Sequence, residues 1–195
     1  MLSVLQQKNL GTTGPWLAIG LALVMMVTRV GHFGEAGGPP DASWAVFFLA
    51  GLWLQDARAF PAFFSLGWLA DMGAFSLGTP TDCYSLAYLF LIPAYGSLWA
   101  AGQLLGRHAV LSGPQGAGML GAAALLSGVV CFFWANLGMW WLAETATPYS
   151  LVAYLGAVSQ YLPSYLLTMG TYVAMAFVLA LAVASRKRAA LGAKR

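Results

Sequence analysis

Two cysteines, two histidines, six carboxylates and nine basic side chains are the whole supply of metal ligands, nucleophiles and charges in 195 residues. Cys83 is the most suggestive of them. It closes the run Gly78-Thr79-Pro80-Thr81-Asp82-Cys83-Tyr84, where Gly, Pro, Asp and Thr favour a turn that can present a side chain. As a nucleophile it is poorly placed, because Asp82 is anionic and no Lys or Arg stands nearby in sequence to favour the thiolate. As a metal ligand it is better placed, since coordination itself deprotonates a thiol. One soft ligand makes no metal cage, and no Cys or His cluster has zinc-like spacing. The chemistry that remains is a metal already held by a macrocycle, with the protein filling an axial position. Cys131, among Val130, Phe132 and Phe133, reads as a small apolar packing residue. Its greater depth argues against a disulfide with Cys83.

A second group of polar residues lies inside apolar runs. An ionised side chain near the centre of a bilayer costs at least ~2.5 to 3.5 kcal/mol on insertion scales, so Asp71 and Arg29 each need a partner or a task. Both fall toward the same membrane face. An ion pair that fixes helix packing and a direct contact with a ligand are both consistent with that placement. His32 follows Arg29 by three positions and shares its helix face, either as a cavity residue or as a solvated interfacial one. Asn136 is a weaker candidate of the same kind. All of them gather on one side, which implies a cavity that opens outward.

The elements that must hold these residues are membrane helices. Charged residues are 8% of the chain and hydrophobic ones 60%, and the apolar stretches approach the roughly 20 residues that a helix needs to cross a bilayer core of ~30 Å. The pattern predicts an all-α polytopic protein with six transmembrane helices, at about 15–33, 42–57, 59–77, 84–105, 116–142 and 164–184. Eight of the nine Lys and Arg residues, all but Arg29, fall in every second connection or at the ends. Basic loops stay cytoplasmic, so Lys8, Arg58, Arg107 and the tail from Arg186 to Arg195 are expected inside. Glu35, Asp41, Asp82 and Glu144 are expected outside, and both termini are expected in the cytoplasm.

The first span lacks a small-residue cleavage site and precedes five more, so it reads as a retained helix. From Ser150 to Ala184 an unbroken helix would run about 52 Å, so a break is expected. Pro163 is the natural place for it. That leaves an outer segment near 143–162 with Tyr149, Tyr154, Gln160 and Tyr161, either capping a cavity or forming an interfacial aromatic belt.

Composition excludes several classes. The net charge of +3 comes mostly from the tail and accompanies no soluble domain, so it serves topology and lipid headgroups and no nucleic acid. None of the three lysines follows a glycine, so no phosphate loop for ATP can be placed. The chain reads as a single membrane domain over 1–195, too small for a two-lobed transporter.

The six-span outline, the short acidic outer loops, Asp71 and the stretch Thr81-Asp82-Cys83-Tyr84 resemble the substrate-binding S-component of energy-coupling factor (ECF) vitamin transporters, in particular the BtuM family of cobalamin transporters. The resemblance implies a multi-pass protein of the bacterial inner membrane that binds cobalamin in a cavity opening to the periplasm. Cys83 would be the axial ligand to cobalt, with His32, Asp71 and Tyr84 as the first polar neighbours and Arg29, Asp82 and Asn136 around them. No resident cofactor is implied, since cobalamin is the cargo. The resemblance further implies docking on a scaffold subunit of an energising module through small residues of the first span, such as Ala18 and Ala22. Thiolate entry at cobalt could also displace cyanide from cyanocobalamin.

Two other classes fit the residues. A proton-coupled carrier would use Asp71 as its relay. A membrane thiol oxidoreductase would pair Cys83 with Cys131, and thiol labelling that finds both free and far apart removes it.

Overall fold

The computed structural model describes residues 13–30, 39–76, 86–108, 113–142 and 150–192. Six helical stretches carry nearly all of them, and no strand occurs among the described residues. They are α1 (Thr13–Val30), α2 (Ser43–Leu54), α3 (Ala59–Ser76), a 3₁₀ turn (Leu86–Phe90) running into α4 (Leu91–His108), α5 (Gly113–Leu142), and α6 (Leu151–Val158) joined by a 3₁₀ turn (Ser159–Tyr161) to α7 (Leu162–Gly192).

Proline marks where these helices begin. Pro15, Pro61, Pro93, Pro114 and Pro163 each occupy the second or third position of α1, α3, α4, α5 and α7. There the missing N–H falls among donors that the first turn leaves unpaired anyway. The expected break at Pro163 takes a milder form. Leu162, which precedes it, is right-handed helical at φ −53° and ψ −44°, so the chain tightens into a 3₁₀ turn and continues helical.

Among the described residues three stretches are long and apolar enough to cross a membrane: Leu86–His108, Gly113–Leu142 and Leu151–Val183. α1 and α2 are shorter apolar helices. α2 departs most from the span expected over 42–57. Its 12 residues rise only about 18 Å, because Gln55 turns into the left-handed region at φ 54° and ends it. The Gln55 amide then donates to Gly51 O at 2.7 Å and Leu52 O at 3.1 Å, and reaches Gln103 O on α4 at 3.3 Å. These bonds offset a backbone conformation that costs a non-glycine residue about 1 to 2 kcal/mol.

α2 is the centre of the molecule. Ser43 and every residue from Ala45 to Trp53 are buried, which fits a helix that is apolar on all sides. It packs on α1, α3, α4 and α7. Its closest neighbour is α4, and glycine sets that approach. A Cβ on Gly51 would collide with Trp99 O, and one on Gly102 would collide with Phe48 O and stand 2.9 Å from Leu52 N. One on Gly106 would stand 2.5 Å from Leu52 O. Gly102 and Gly106 form a Gly-x-x-x-Gly face, the spacing that lets membrane helices pack backbone to backbone.

Beyond α2 a short turn leads into α3. Arg58 N donates to Asp56 Oδ1 at 2.9 Å, and Ala59 N closes on Asp56 O at 3.0 Å. The bond from the Arg58 backbone N–H, joined by the Arg58 guanidinium, holds the exposed Asp56 carboxyl below its ordinary value.

Gly102→Leu is expected to force α2 and α4 apart at a cost of about 3 kcal/mol or more, read as a lower thermal midpoint and loss of monodisperse protein in detergent. Gly118→Ala, where nothing lies within 4 Å of the added carbon, is expected to hold or slightly raise the midpoint. Equal behaviour of the two variants would remove glycine packing as the organiser of the core.

Candidate functional site

The C-terminal ends of α1, α3 and α5 meet the N-terminal ends of α2, α4 and α7 around a cavity of about 330 Å³. The opposite ends of α2 and α4 are tied by Gln55, near the helix ends that carry Arg58 and Arg107. The cavity therefore lies at the end of the bundle away from those basic residues.

Arg29 is the hub of this end. Met25 and Leu21 precede it on the buried face of α1, so the helix delivers a guanidinium into the interior, where it is only 5% exposed. Asp71 of α3 is 1% exposed and meets it fork to fork, with Nε to Oδ1 at 2.7 Å and Nη2 to Oδ2 at 2.7 Å. The remaining donors are taken as well. Nη1 donates to Ser43 Oγ at 2.8 Å and to Tyr95 OH at 3.1 Å, while Nη2 reaches Tyr88 OH at 3.5 Å. All five N–H groups of the guanidinium are thus placed on α2, α3, the 3₁₀ turn and α4. Tyr88 OH in turn makes a short hydrogen bond to Asp71 Oδ2. The Arg29 Cζ also lies 5.8 Å from the centre of the Tyr95 ring, within cation–π range. Gly67, one turn before Asp71, lies against the guanidinium, where a Cβ would stand in ordinary contact 3.7 Å from Cζ.

Asp41 forms the edge of the site. Its Oδ1 accepts from Ser43 N at 2.9 Å and Ser43 Oγ at 2.6 Å, which fixes the entry to α2. Its Oδ2 lies 3.6 Å from Arg29 Nη1. Nearby, Tyr172 OH donates to Pro40 O at 2.8 Å and ties this connection to α7.

The walls are mainly aromatic and aliphatic. Trp44 of α2 stacks on Tyr165 of α7 with ring centroids 5.0 Å apart, and Phe132 of α5 meets Tyr165 edge on at 6.0 Å. Tyr88, Leu91, Met139 and Tyr161 complete much of the lining.

The residues expected from sequence divide into two sets. Arg29, Asp71 and Asn136 all line this cavity. Asn136 is partly occupied, since its amide donates to Phe132 O at 2.8 Å and accepts from Tyr154 OH at 3.5 Å. His32, Asp82, Cys83 and Tyr84 lie outside the described residues. Cys131 is fully buried with a free thiol. No group of three or more His, Cys, Asp or Glu capable of holding a metal ion occurs among the described residues.

Sequence reading missed Ser43, Tyr88, Tyr95, Trp44 and Tyr165 as members of the site. A signal existed for two of them, because Tyr88 and Tyr95 are seven residues apart and so fall on one helix face. The sequence matches no family model and no curated protein.

Removing one partner of the buried pair leaves the other uncompensated, so Arg29→Met or Asp71→Leu alone is expected to cost about 3 to 5 kcal/mol. The double variant, which leaves no buried charge from the pair, is expected to recover a large part of that loss. Unfolding of the three variants in mixed micelles checks this. Additive losses would mean that the two side chains are not energetically coupled.

Proposed function

We propose that this chain is the membrane-embedded capture subunit of a small-molecule uptake system, and that its cargo is a corrinoid held through the Cys83 thiolate on cobalt. The observation that carries the capture reading is the cavity itself, a cluster of aromatic faces around a few convergent polar groups at one end of a helical bundle, which is the usual character of a small-molecule site. The corrinoid rests on the sequence resemblance. Chain connectivity supports the role of Cys83, because residues 77–85 join α3, which carries Asp71, to the 3₁₀ turn that carries Tyr88. Both of those residues line the cavity.

In this reading the chain crosses the bacterial inner membrane six times with both termini in the cytoplasm, and the cavity faces the periplasm. A whole corrinoid exceeds about 330 Å³, so one edge of the macrocycle enters while cobalt stays at the mouth within reach of Cys83. The aromatic walls pack against the apolar face of the ring, and polar groups at the rim meet its amides. With cyanocobalamin the step is redox-neutral ligand exchange. The Cys83 thiol releases its proton, the sulfur lone pair forms the bond to Co(III), and cyanide departs with its own electron pair.

Release inward requires a second state with lower affinity, since a site equally tight in both states moves nothing. A docked energising module would supply the bias. On α1 the outward stripe of Trp16, Ile19, Leu23 and Val27 is exposed together with Gly20, whereas Ala22 packs against the core. Such a module would therefore read α1 along Gly20, on the face opposite Ala18 and Ala22.

The decisive experiment is an absorption spectrum of purified protein mixed with cyanocobalamin. The expected outcome is a shift of the corrin bands that Cys83→Ser abolishes. An unshifted spectrum with the unaltered protein, or the same shift with Cys83→Ser, removes Cys83 as the cobalt ligand. Uptake that needs Asp71 and a proton gradient while ignoring Cys83 would favour the carrier reading.

A further inference from the structure

The outer part of the cavity holds one carboxylate too many. Among the described residues its lining contains one cation, Arg29, against two carboxylates, Asp41 and Asp71. Arg29 neutralises Asp71 through two bonds of 2.7 Å. Asp41 receives only the charge attraction of that same guanidinium and no hydrogen bond from it, because both Nη1 protons are committed to Ser43 Oγ and Tyr95 OH. Asp41 Oδ2 stands 3.6 Å from that nitrogen, beyond hydrogen-bond range. Ser43 satisfies Oδ1 alone. The Asp41 side chain is 21% exposed, so this carboxylate is partly desolvated, still accessible, and without a full counter-charge.

Its surroundings select the kind of cation. Asp41, Trp44, Tyr161 and Tyr165 line the main cavity and also a second concavity of about 270 Å³ that adjoins it, where Pro40, Ser164 and Thr168 complete the wall. Trp44 and Tyr165 stack with an interplanar angle of 24°, and Tyr161 and Tyr165 are 56% and 43% exposed. Ring faces attract cations through the negative side of their quadrupole, and tryptophan does so best. A small metal ion is poorly served, because hard cations are held chiefly by several carboxylate and carbonyl oxygens and Asp41 is the one carboxylate among the described residues of this wall, whose other side-chain oxygens are hydroxyls. A cation whose charge is spread over carbon and nitrogen is well served.

We propose that Asp41, Trp44, Tyr161 and Tyr165 form a binding site for an organic monocation, a protonated or quaternary amine carried on an apolar body. The ammonium group sits beside Asp41 Oδ2 and against the ring face that the Trp44–Tyr165 stack leaves open, and the apolar part extends toward Phe132 and Met139. This site uses neither Cys83 nor a corrinoid, so it stands or falls separately from the cargo proposed above.

Equilibrium dialysis of the full chain in non-ionic detergent tests it, with benzyltrimethylammonium and benzylamine as cationic probes and benzyl alcohol as the neutral one. Both cations are expected to bind saturably, and benzyl alcohol roughly tenfold more weakly or worse. Asp41→Asn keeps an acceptor for Ser43 while removing the charge, and is expected to weaken both cations about tenfold with little change for benzyl alcohol. Tyr161→Leu, at an exposed position, is expected to weaken the quaternary probe without lowering the thermal midpoint, and Cys83→Ser to bind all three as before. Equal binding of charged and neutral probes overturns the proposal. So does unchanged cation binding in either Asp41→Asn or Tyr161→Leu.

Discussion

A guanidinium that never loses its proton, placed in a helix end among apolar side chains, is the constraint from which the outer half of this molecule follows. Arg29 cannot neutralise itself as a lysine or a carboxyl could, so the fold must bring it a counter-charge and five acceptor positions. Those acceptors come from four different elements: Ser43 at the start of α2, Asp71 near the end of α3, Tyr88 on the 3₁₀ turn and Tyr95 on α4. Each of these side chains is therefore held at a fixed depth. The cavity is the space left between this polar knot and the α5 and α7 aromatics that approach it.

The other half of the bundle is organised by different physics. Lipid tails are as apolar as leucine, so helices gain little from hydrophobic burial against one another and need close backbone packing instead. Gly51, Gly102 and Gly106 supply it between α2 and α4, and Gln55 locks the same pair by capping one helix while bonding to the other. α2 and α4 are thus tied at one end by glycine contact and at the other by Arg29. That double attachment makes them the stable frame against which α1, α5 and α7 are arranged.

Much of this was legible in the sequence wherever a residue type was out of place. An Asp and an Arg in apolar runs announced a buried polar site, and the alternation of basic and acidic connections announced which helix ends lie together. The helical class and approximate limits of α3 and α5 followed from apolar length. Aromatic members of the site were not legible, because Tyr and Trp are equally expected in a membrane interface belt and only the third dimension separates Trp44 and Tyr165 from the rest. The shortness of α2 was hidden for a related reason. Apolar composition continues through Leu54, and nothing local announced that Gln55 would adopt a left-handed backbone. Pro163 misled in degree, since a proline in the first turn removes no hydrogen bond that the helix would have made. The proline at the start of five helices carried more information than its single use as a breakpoint.

The bond lengths around Arg29 also divide its partners by how readily they can be exchanged. Asp71 is held by two bonds of 2.7 Å, charge-assisted and bidentate, and buried at 1% exposure. A ligand that broke this pair would have to repay the desolvation of two ions, so Asp71 belongs to the frame and is poorly suited to act as a proton relay. The contacts to Tyr88 at 3.5 Å and Asp41 at 3.6 Å are long and face the cavity. Tyr88 is nonetheless held by its short hydrogen bond to Asp71 Oδ2, and Asp41 Oδ1 by Ser43, which leaves Asp41 Oδ2 as the oxygen of this rim that can meet a ligand without breaking a hydrogen bond. A ligand can therefore engage the rim through Asp41 Oδ2 while the buried pair and Tyr88 beneath it stay closed, which confines adaptation to the rim and leaves the floor of the site rigid.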